Sequence, residues 1–272
     1  MPFKLLVLLV FLLQLATPAA VADPRLELPA SVVQGALVTG RVPPGSSVHL
    51  GERPLRVAPD GWFVFGVGRD HGTGIELHAR FPDGSRHLAQ VAVEQRAWRI
   101  ERVDGLPPAT VSPDPALARR IASEQARVSA ARERDDDRTD FLQAFAWPVQ
   151  GRVSGVYGSQ RILNGEPRNP HYGLDVAAPT GTPIRAPAAG LVILAEPDFY
   201  LTGGTLTLDH GHGVSSTFIH LSRIDRAVGE RVEQGEVIGA VGATGRATGP
   251  HMHWGMNWFE VRVDPQLLLP SP

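Results

Sequence analysis

Short runs of alternating apolar and polar residues fill the chain between Leu26 and about residue 100. They include ALVTGRV, GWFVFGV, GIELHARF and HLAQVAVEQ, and glycine, proline or aspartate separates them. Alternation with a period of two places successive side chains on opposite faces of a β-strand. Turn signals at spacings of about 8 to 12 residues between such strands are typical of a small β-sandwich. We therefore predict an N-terminal β-sandwich over residues 23–100.

The pattern changes after this region. A proline-rich stretch comes first, and the next stretch is dominated by alanine, arginine and glutamate, with Pro115 placed as at a first helical turn. A thin apolar stripe at helical spacing is formed by Leu117, Ile121 and Val128. We predict a Pro-rich linker and a helix over residues 101–140, with the helix packed loosely on a neighbouring domain.

Glycine-bounded strands resume at Trp147 and continue to about Leu269. They predict a second β domain over residues 141–272, built on an antiparallel sheet. The predicted fold class is therefore mainly β: a small β-sandwich, a helical linker and a C-terminal antiparallel sheet domain.

The N-terminus has the features of a secretory signal peptide. Lys4 supplies a positive charge, LLVLLVFLLQLA supplies an apolar core, and AVA at residues 20–22 is a cleavage signal. A transmembrane helix is the alternative, but the apolar run is shorter than the roughly 20 residues that span a bilayer. We predict that residues 1–22 are removed, that the mature chain is exported, and that no later segment spans a membrane.

Charge and cysteine content exclude several classes of function. The 272 residues contain 26 Lys and Arg against 28 Asp and Glu, which gives a net charge of −2, and no cysteine. Phosphate binding needs a concentrated basic face, so we expect no nucleic-acid partner. The absence of cysteine excludes a disulfide and a thiol nucleophile.

Histidines in the C-terminal region form the candidate chemistry. In HMH, His251 and His253 share one strand face, because residues i and i+2 point the same way on a β-strand. Met252, Trp254 and the following alternate residues face the opposite side. A half-buried strand whose polar face meets water is the alternative interpretation of this motif alone.

Two further segments carry candidate ligands. In HYGLD, His171 and Asp175 are four residues apart, and Gly173 between them favours a strand with both on one face, a combination that suits zinc. A surface histidine bonded to an aspartate explains this spacing equally well. In FIHLS, His220 lies on an alternating strand and shares a face with Phe218. The two histidines of DHGHG, His210 and His212, are predicted to lie in a hairpin turn.

Together HYGLD, FIHLS and HMH, in this order, resemble the lysostaphin or LytM-type zinc endopeptidases that hydrolyse peptidoglycan. The similarity extends over roughly residues 147–266. It implies one zinc ion per chain, held by His171, Asp175 and His253. It also implies two unligated catalytic histidines, His220 and His251. Arg161 and Asn164 resemble positions that line the substrate groove in related sequences, and side chains that stabilise the loop are the alternative interpretation of these two.

The resemblance implies that the partners are the peptide stems of peptidoglycan. Some family members cut polyglycine bridges and others cut D-alanyl-diaminopimelate cross-links. The exported, arginine-rich, cysteine-free chain favours a periplasmic enzyme and hence a D,D-endopeptidase of cell-wall remodelling. A non-catalytic regulator that activates another cell-wall hydrolase is the alternative, although all five site residues are present. We expect the N-terminal domain and helix to cover the groove or to dock a cell-wall protein partner.

Overall fold

The computed structural model describes residues 23–103, 115–163 and 165–270. The predicted signal peptide, most of the predicted Pro-rich linker and Asn164 lie outside these described residues. The described structure is mainly β, as the sequence predicts. Within it, we find no helix with the length and apolarity needed to cross a bilayer.

The N-terminal region folds into two small sheets. Its strands are β1 (Ser31–Val33), β2 (Leu37–Arg41), β3 (Ser47–Leu50), β4 (Arg53–Leu55), β5 (Trp62–Gly66), β6 (Gly74–Arg80) and β7 (Arg86–Glu94). Five of them form a sheet in the order β1-β7-β6-β3-β4, and β2 pairs with β5. Phe63, Phe65 and Leu77 are fully buried, so the two sheets enclose an apolar core, as expected for a sandwich.

The predicted linker begins with a strand instead of a coil. Residues Ile100–Val103 form β8, which pairs in parallel with β10 (Gln160–Leu163). The pairing partner lies some sixty residues further along the chain. A local composition rich in proline could not reveal this strand, because the contact that forms it is non-local.

A single α-helix in the described residues, α1 (Pro115–Arg132), follows. It begins at the proline that the sequence predicts for the first turn. The helix contacts the C-terminal sheet through polar groups: Tyr200 donates its backbone N–H to Glu124 Oε2 at 2.8 Å, and Arg127 pairs with Glu196. Its one buried residue is Arg132.

The C-terminal region is a large antiparallel sheet with smaller sheets beside it. Its remaining strands are β9 (Arg152–Gly155), β11 (Glu166–Pro167), β12 (Leu174–Ala177), β13 (Pro183–Arg185), β14 (Gly190–Phe199), β15 (Gly203–Gly211), β16 (Val214–Leu221), β17 (Arg223–Ile224), β18 (Arg231–Val232), β19 (Val237–Ala240), β20 (His251–Trp258) and β21 (Val261–Val263). The main sheet has the order β18-β14-β15-β16-β20-β12-β9, with β21 added to β20. Two single 3₁₀ turns, Asp140–Leu142 and Pro265–Leu268, complete the described elements.

One face of the main sheet is apolar and the other is polar. Trp254 is fully buried and stacks on Phe218, with ring centroids 6.1 Å apart. Met252 and Met256, on the same face of β20, are also fully buried. The alternate residues of β20 therefore face the polar side, which carries the candidate site.

The two β regions share packed contacts. Arg96 pairs with Asp264 at 2.7 Å, and Asp264 is only 2% exposed. A Cβ built on Gly66 would lie 2.9 Å from the Cβ of Trp258. The buried apolar residues of the two regions form one continuous cluster.

The hairpin histidines differ in position from the sequence prediction. His212 lies at the turn, but His210 belongs to β15 and is fully buried. His210 Nδ1 donates to the Ala189 carbonyl at 2.7 Å, and Nε2 accepts from Ser216 Oγ at 2.8 Å. Burial lowers the pKa of His210 to about 4. The imidazole is thus a neutral element of the core.

We predict that His210 makes the fold acid-sensitive. Its folded pKa lies below the ordinary value, so its contribution is complete above about pH 6.5 and is lost as pH falls towards 4. The loss in free energy of unfolding is about 3 kcal/mol or less. Urea unfolding of the wild type at pH 7 and pH 4.5 measures this loss, and the same measurement on His210→Gln serves as the comparison. If the variant and the wild type lose stability equally on acidification, His210 does not contribute.

Candidate metal centre

The register between β12 and β20 brings an aspartate and a histidine together. Asp175 lies directly opposite His253 in this antiparallel pair. His253 Nδ1 is 2.7 Å from Asp175 Oδ1. Both residues are partly buried, so the two side chains meet in a sheltered position on the polar face of the sheet.

His171 reaches the same point from a loop. The prediction that it shares a strand with Asp175 is wrong, because β12 begins at Leu174. On an extended strand, residues four apart would be separated by about 13 Å. Instead the chain bends before β12, and His171 Nε2 lies 3.1 Å from Asp175 Oδ1 and 3.0 Å from His253 Nδ1.

Backbone contacts fix the loop and the imidazole of His171. The His171 N–H donates to the Ser159 carbonyl at 2.7 Å, and its own carbonyl accepts from Gly158 N–H at 2.8 Å. His171 Nδ1 donates to the Val156 carbonyl at 3.0 Å. Since Nδ1 carries the hydrogen, the neutral ring presents the lone pair of Nε2 to the site.

Glycines leave the space that this arrangement needs. A Cβ on Gly173 would lie 2.6 Å from His253 Nε2 and 2.7 Å from the Trp254 carbonyl oxygen. A Cβ on Gly155 would lie 2.3 Å from Asp175 Oδ2. The loop and β9 can approach the candidate ligands closely only because these positions lack side chains.

The three donor groups fit a zinc ion. Their donor atoms are separated by 2.7 to 3.1 Å. Ligand atoms at the corners of a zinc tetrahedron are about 3.3 Å apart when the bonds are 2.0 to 2.1 Å long. Two imidazole nitrogens and one carboxylate oxygen form a ligand set used by catalytic zinc. His171, Asp175 and His253 can therefore hold the metal with small adjustments.

The electrostatics of the group agree with this fit. Burial would raise the pKa of the Asp175 carboxyl, but the adjacent imidazoles of His171 and His253 outweigh it and hold that pKa well below its usual range. Burial lowers the pKa of His253 below its ordinary value. At neutral pH Asp175 thus offers an ionised carboxylate and His253 a neutral imidazole, the forms that bind a metal. At His171 burial lowers the pKa, but the contact with Asp175 outweighs burial and raises it, so a metal competes with a proton for this ring.

A β-bulge directs His220 towards the site. Leu206 pairs with Phe218 and Gly204 pairs with Leu221, so β16 carries one more residue than β15 over this interval. His220 has a φ of 65°, in the left-handed region. Strict alternation would place it with Phe218 on the apolar face, and that part of the prediction is wrong. The bulge changes the alternation and turns His220 to the side of His251.

His220 and His251 form a second pair beside the three donors. Their ring centroids are 4.8 Å apart. His220 Nδ1 donates to the Thr244 carbonyl at 2.8 Å, and His251 Nδ1 donates to the Gly249 carbonyl at 2.8 Å. Burial lowers the pKa of His220 to about 4, so this ring is neutral at pH 7. The neutral His220 ring then has an unprotonated Nε2 that can accept a proton.

The structure therefore brings together all five residues of the predicted metal and catalytic sets. Arg161 lies on β10, where its backbone pairs with Glu101. The sequence interpretation missed two arginines, Arg132 and Arg262, that line a cavity shared with His253. Neither belongs to a motif, and their proximity arises only from the fold.

Comparisons with known proteins agree with this site. Residues 169–265 match the profile of peptidase family M23. A crystal structure of a peptidase M23 from Pseudomonas aeruginosa is 33% identical, with a TM-score of 0.67 over 87% of this chain and 94% of that chain. The chain belongs to peptidase family M23.

Curated relatives are similar over part of their length. DD-carboxypeptidase/endopeptidase Mpg of Neisseria meningitidis serogroup B is 43% identical over 109 residues, which cover 38% of this chain and 24% of the relative. Peptidoglycan DD-endopeptidase ShyA of Vibrio cholerae is 39% identical over 124 residues, which cover 44% of this chain and 29% of the relative. The matched region thus spans about a quarter of the length of these relatives.

We predict that Gly173→Ala weakens zinc binding at least 10-fold while the protein remains folded. The added methyl group would meet the His253 ring and the backbone of β20, and so would displace one candidate ligand. Competition with a chromogenic chelator measures the affinity. Gly74→Ala is the matched control, because a Cβ there meets no atom within 4 Å. Equal zinc affinity in both variants would contradict the prediction.

Proposed function

We propose that the chain is a zinc-dependent D,D-endopeptidase that hydrolyses peptide cross-links of bacterial peptidoglycan during cell-wall remodelling. The observation that carries this proposal is the convergence of His171, Asp175 and His253 beside the paired rings of His220 and His251, in a chain of family M23. The names of the relatives Mpg and ShyA support the bond class.

In this proposal His171, Asp175 and His253 hold one zinc ion. Bound zinc would polarise the scissile carbonyl and lower the pKa of a water ligand. The protein residues supply the proton transfers. With Nδ1 held by a backbone carbonyl, His220 or His251 can accept a proton at Nε2 and later donate it to the leaving amine nitrogen. A lowered pKa keeps His220 in the accepting form.

We also propose that residues 23–100 are an accessory unit, that residues 141–272 carry the activity, and that the chain is exported to the periplasm. The signal-peptide features of residues 1–22 support the export. The regulator alternative has less support, since such regulators have lost zinc ligands, whereas this chain retains the three donors and both neighbouring histidines.

The metal-binding and catalytic roles should separate in mutants. We expect His171→Ala, Asp175→Ala and His253→Ala to lose both zinc and activity. His220→Ala and His251→Ala should keep zinc, while activity falls about 10²-fold or more, because they remove only a proton acceptor. Elemental analysis and peptide hydrolysis measure the two properties in parallel. Loss of zinc in His251→Ala to the extent seen in His253→Ala would show that both histidines are ligands.

The bond class is tested with purified sacculi that contain diaminopimelate cross-links. We expect the mature chain to convert dimeric muropeptides to monomers by cleaving the D-alanyl-diaminopimelate bond, and a chelator to abolish this conversion. Mass analysis of the muropeptides identifies the bond. His253→Ala is the matched inactive control. Intact cross-links after digestion by the zinc-loaded chain would overturn the proposed function.

A further inference from the structure

A cavity of about 380 Å³ lies between helix α1 and the polar face of the main sheet. His253 lines it, so it opens directly beside the candidate metal centre. Thr217, Ile219 and Gly255 from the sheet and Arg132 from the helix also line it, together with Arg262 from β21. Of the five candidate site residues, only His253 lines the cavity, which therefore adjoins the metal centre on the His253 side.

Arg132 is a buried cation on the wall of this cavity. It is 9% exposed, and its Nε has no hydrogen-bond partner. Among the described residues, its side chain makes one hydrogen bond, from Nη2 to Thr217 Oγ1 at 3.3 Å. Burial lowers the pKa of Arg132 to about 9, and the charge of Arg262 adds to this effect. At pH 7 the guanidinium is still charged, and it is almost wholly withdrawn from water.

Arg262 is the second cation on this cavity. Its Nη1 donates to Asn257 Oδ1 at 3.4 Å, and its guanidinium lies 5.8 Å from the centre of the Tyr172 ring. Burial lowers the pKa of Arg262 below its ordinary value. Within the described parts of the chain, no carboxylate forms an ion pair with Arg262 or Arg132. Glu124 also lines this cavity, but its carboxylate is bound by Arg120 and by the backbone N–H of Tyr200. Two like charges thus face one cavity without a carboxylate paired to either of them.

Such an arrangement costs free energy in the free protein, since a buried charge is stable only when it is paired. Other arginines on the same surface are paired: Arg127 contacts Glu196, and Arg120 contacts Glu124. The two unpaired arginines are therefore suited to bind the anionic group of a ligand. A guanidinium presents a planar set of donors that fits a carboxylate.

The position of Arg132 determines how far the bound anion would lie from the candidate metal centre, where the scissile bond is placed in the proposed function. Thr217, the contact of Arg132, lies opposite Gly255, which is two residues beyond His253 on the same face of β20. Two strand residues span about 7 Å. A group bound by Arg132 therefore lies about two strand residues along β20 from His253. Gly255 has no side chain to fill this space.

We propose that Arg132 and Arg262 form a subsite for the free carboxylate of the residue on the amine side of the scissile bond, a proposal that rests on the proposed peptidase function. When D-alanine acylates diaminopimelate, a carboxylate remains on the carbon bonded to the scissile nitrogen. A terminal D-alanyl-D-alanine bond has the same feature. A glycine inside a polyglycine bridge has no such group. The subsite thus selects D,D bonds and adds carboxypeptidase activity to endopeptidase activity.

The test uses two synthetic peptides with the same D-alanyl-D-amino acid bond, one with a free carboxylate and one with a carboxamide on the leaving residue. The zinc-loaded mature chain should hydrolyse the carboxylate peptide with a kcat/KM about 10- to 100-fold higher. Arg132→Gln and Arg262→Gln should each remove most of this preference. Arg127→Gln is the control on the same helix and should keep it, because this exposed side chain pairs with Glu196 outside the cavity.

A second measurement does not depend on turnover. Calorimetry with metal-depleted protein should show tighter binding of the carboxylate peptide, and the preference should disappear in Arg132→Gln. The Tm of this variant should equal or exceed that of the wild type, because an uncompensated charge is removed. A lowered Tm with equal losses for both peptides would assign Arg132 a structural role and overturn the subsite.

The outcomes separate the two proposals. If the wild type cleaves both peptides at the same rate, the subsite is wrong and the peptidase function stands. If it cleaves neither peptide nor sacculi, the proposed function is wrong, while a calorimetric preference for the carboxylate that depends on Arg132 would still support the anion site. Equal binding of both peptides together with inactivity would overturn both.

Discussion

The antiparallel register between β12 and β20 is the constraint on which the site depends. It sets Asp175 opposite His253 and Ala177 opposite His251. Because strand side chains alternate, a slip of one residue would exchange the histidines with Met252 and Trp254. Those two side chains are fully buried, so a slip would expose them and bury imidazoles instead. The apolar core on one face of β20 thus holds the candidate ligands in place on the other.

Regular strands alone do not complete the site. His171 comes from a loop that bends before β12, and His220 comes from a bulge with a left-handed residue. The loop and the bulge each direct an imidazole towards the candidate metal centre, which a side chain on a straight strand could not reach from the same position. In both cases a backbone carbonyl accepts from Nδ1 and leaves Nε2 free. The regular sheet holds the ligand-bearing strands rigidly, and the irregular segments set the orientation of the His171 and His220 rings.

The contrast between regular strands and irregular segments explains which parts of the site can be predicted from the sequence. The alternation in HMH is a local property, and it suffices to place His251 and His253 on one face of a strand. The bend at His171 and the bulge at His220 depend on partners distant in the chain, so periodicity assigns both to the wrong geometry, and only the family resemblance identifies them. Strand β8 is hidden for the same reason, because its partner is non-local.

Helix α1 places a buried charge in the cavity, and this charge lowers the stability of the folded state. Its one buried side chain is Arg132, and exposed ion pairs such as Arg127 with Glu196 attach it to the sheet. Exposed pairs contribute about 0 to 1 kcal/mol each, so the helix is held weakly. An anion bound to Arg132 would remove the cost of its buried charge. By linkage, the same anion would strengthen the contact of the helix with the sheet, so ligand binding and helix position depend on each other.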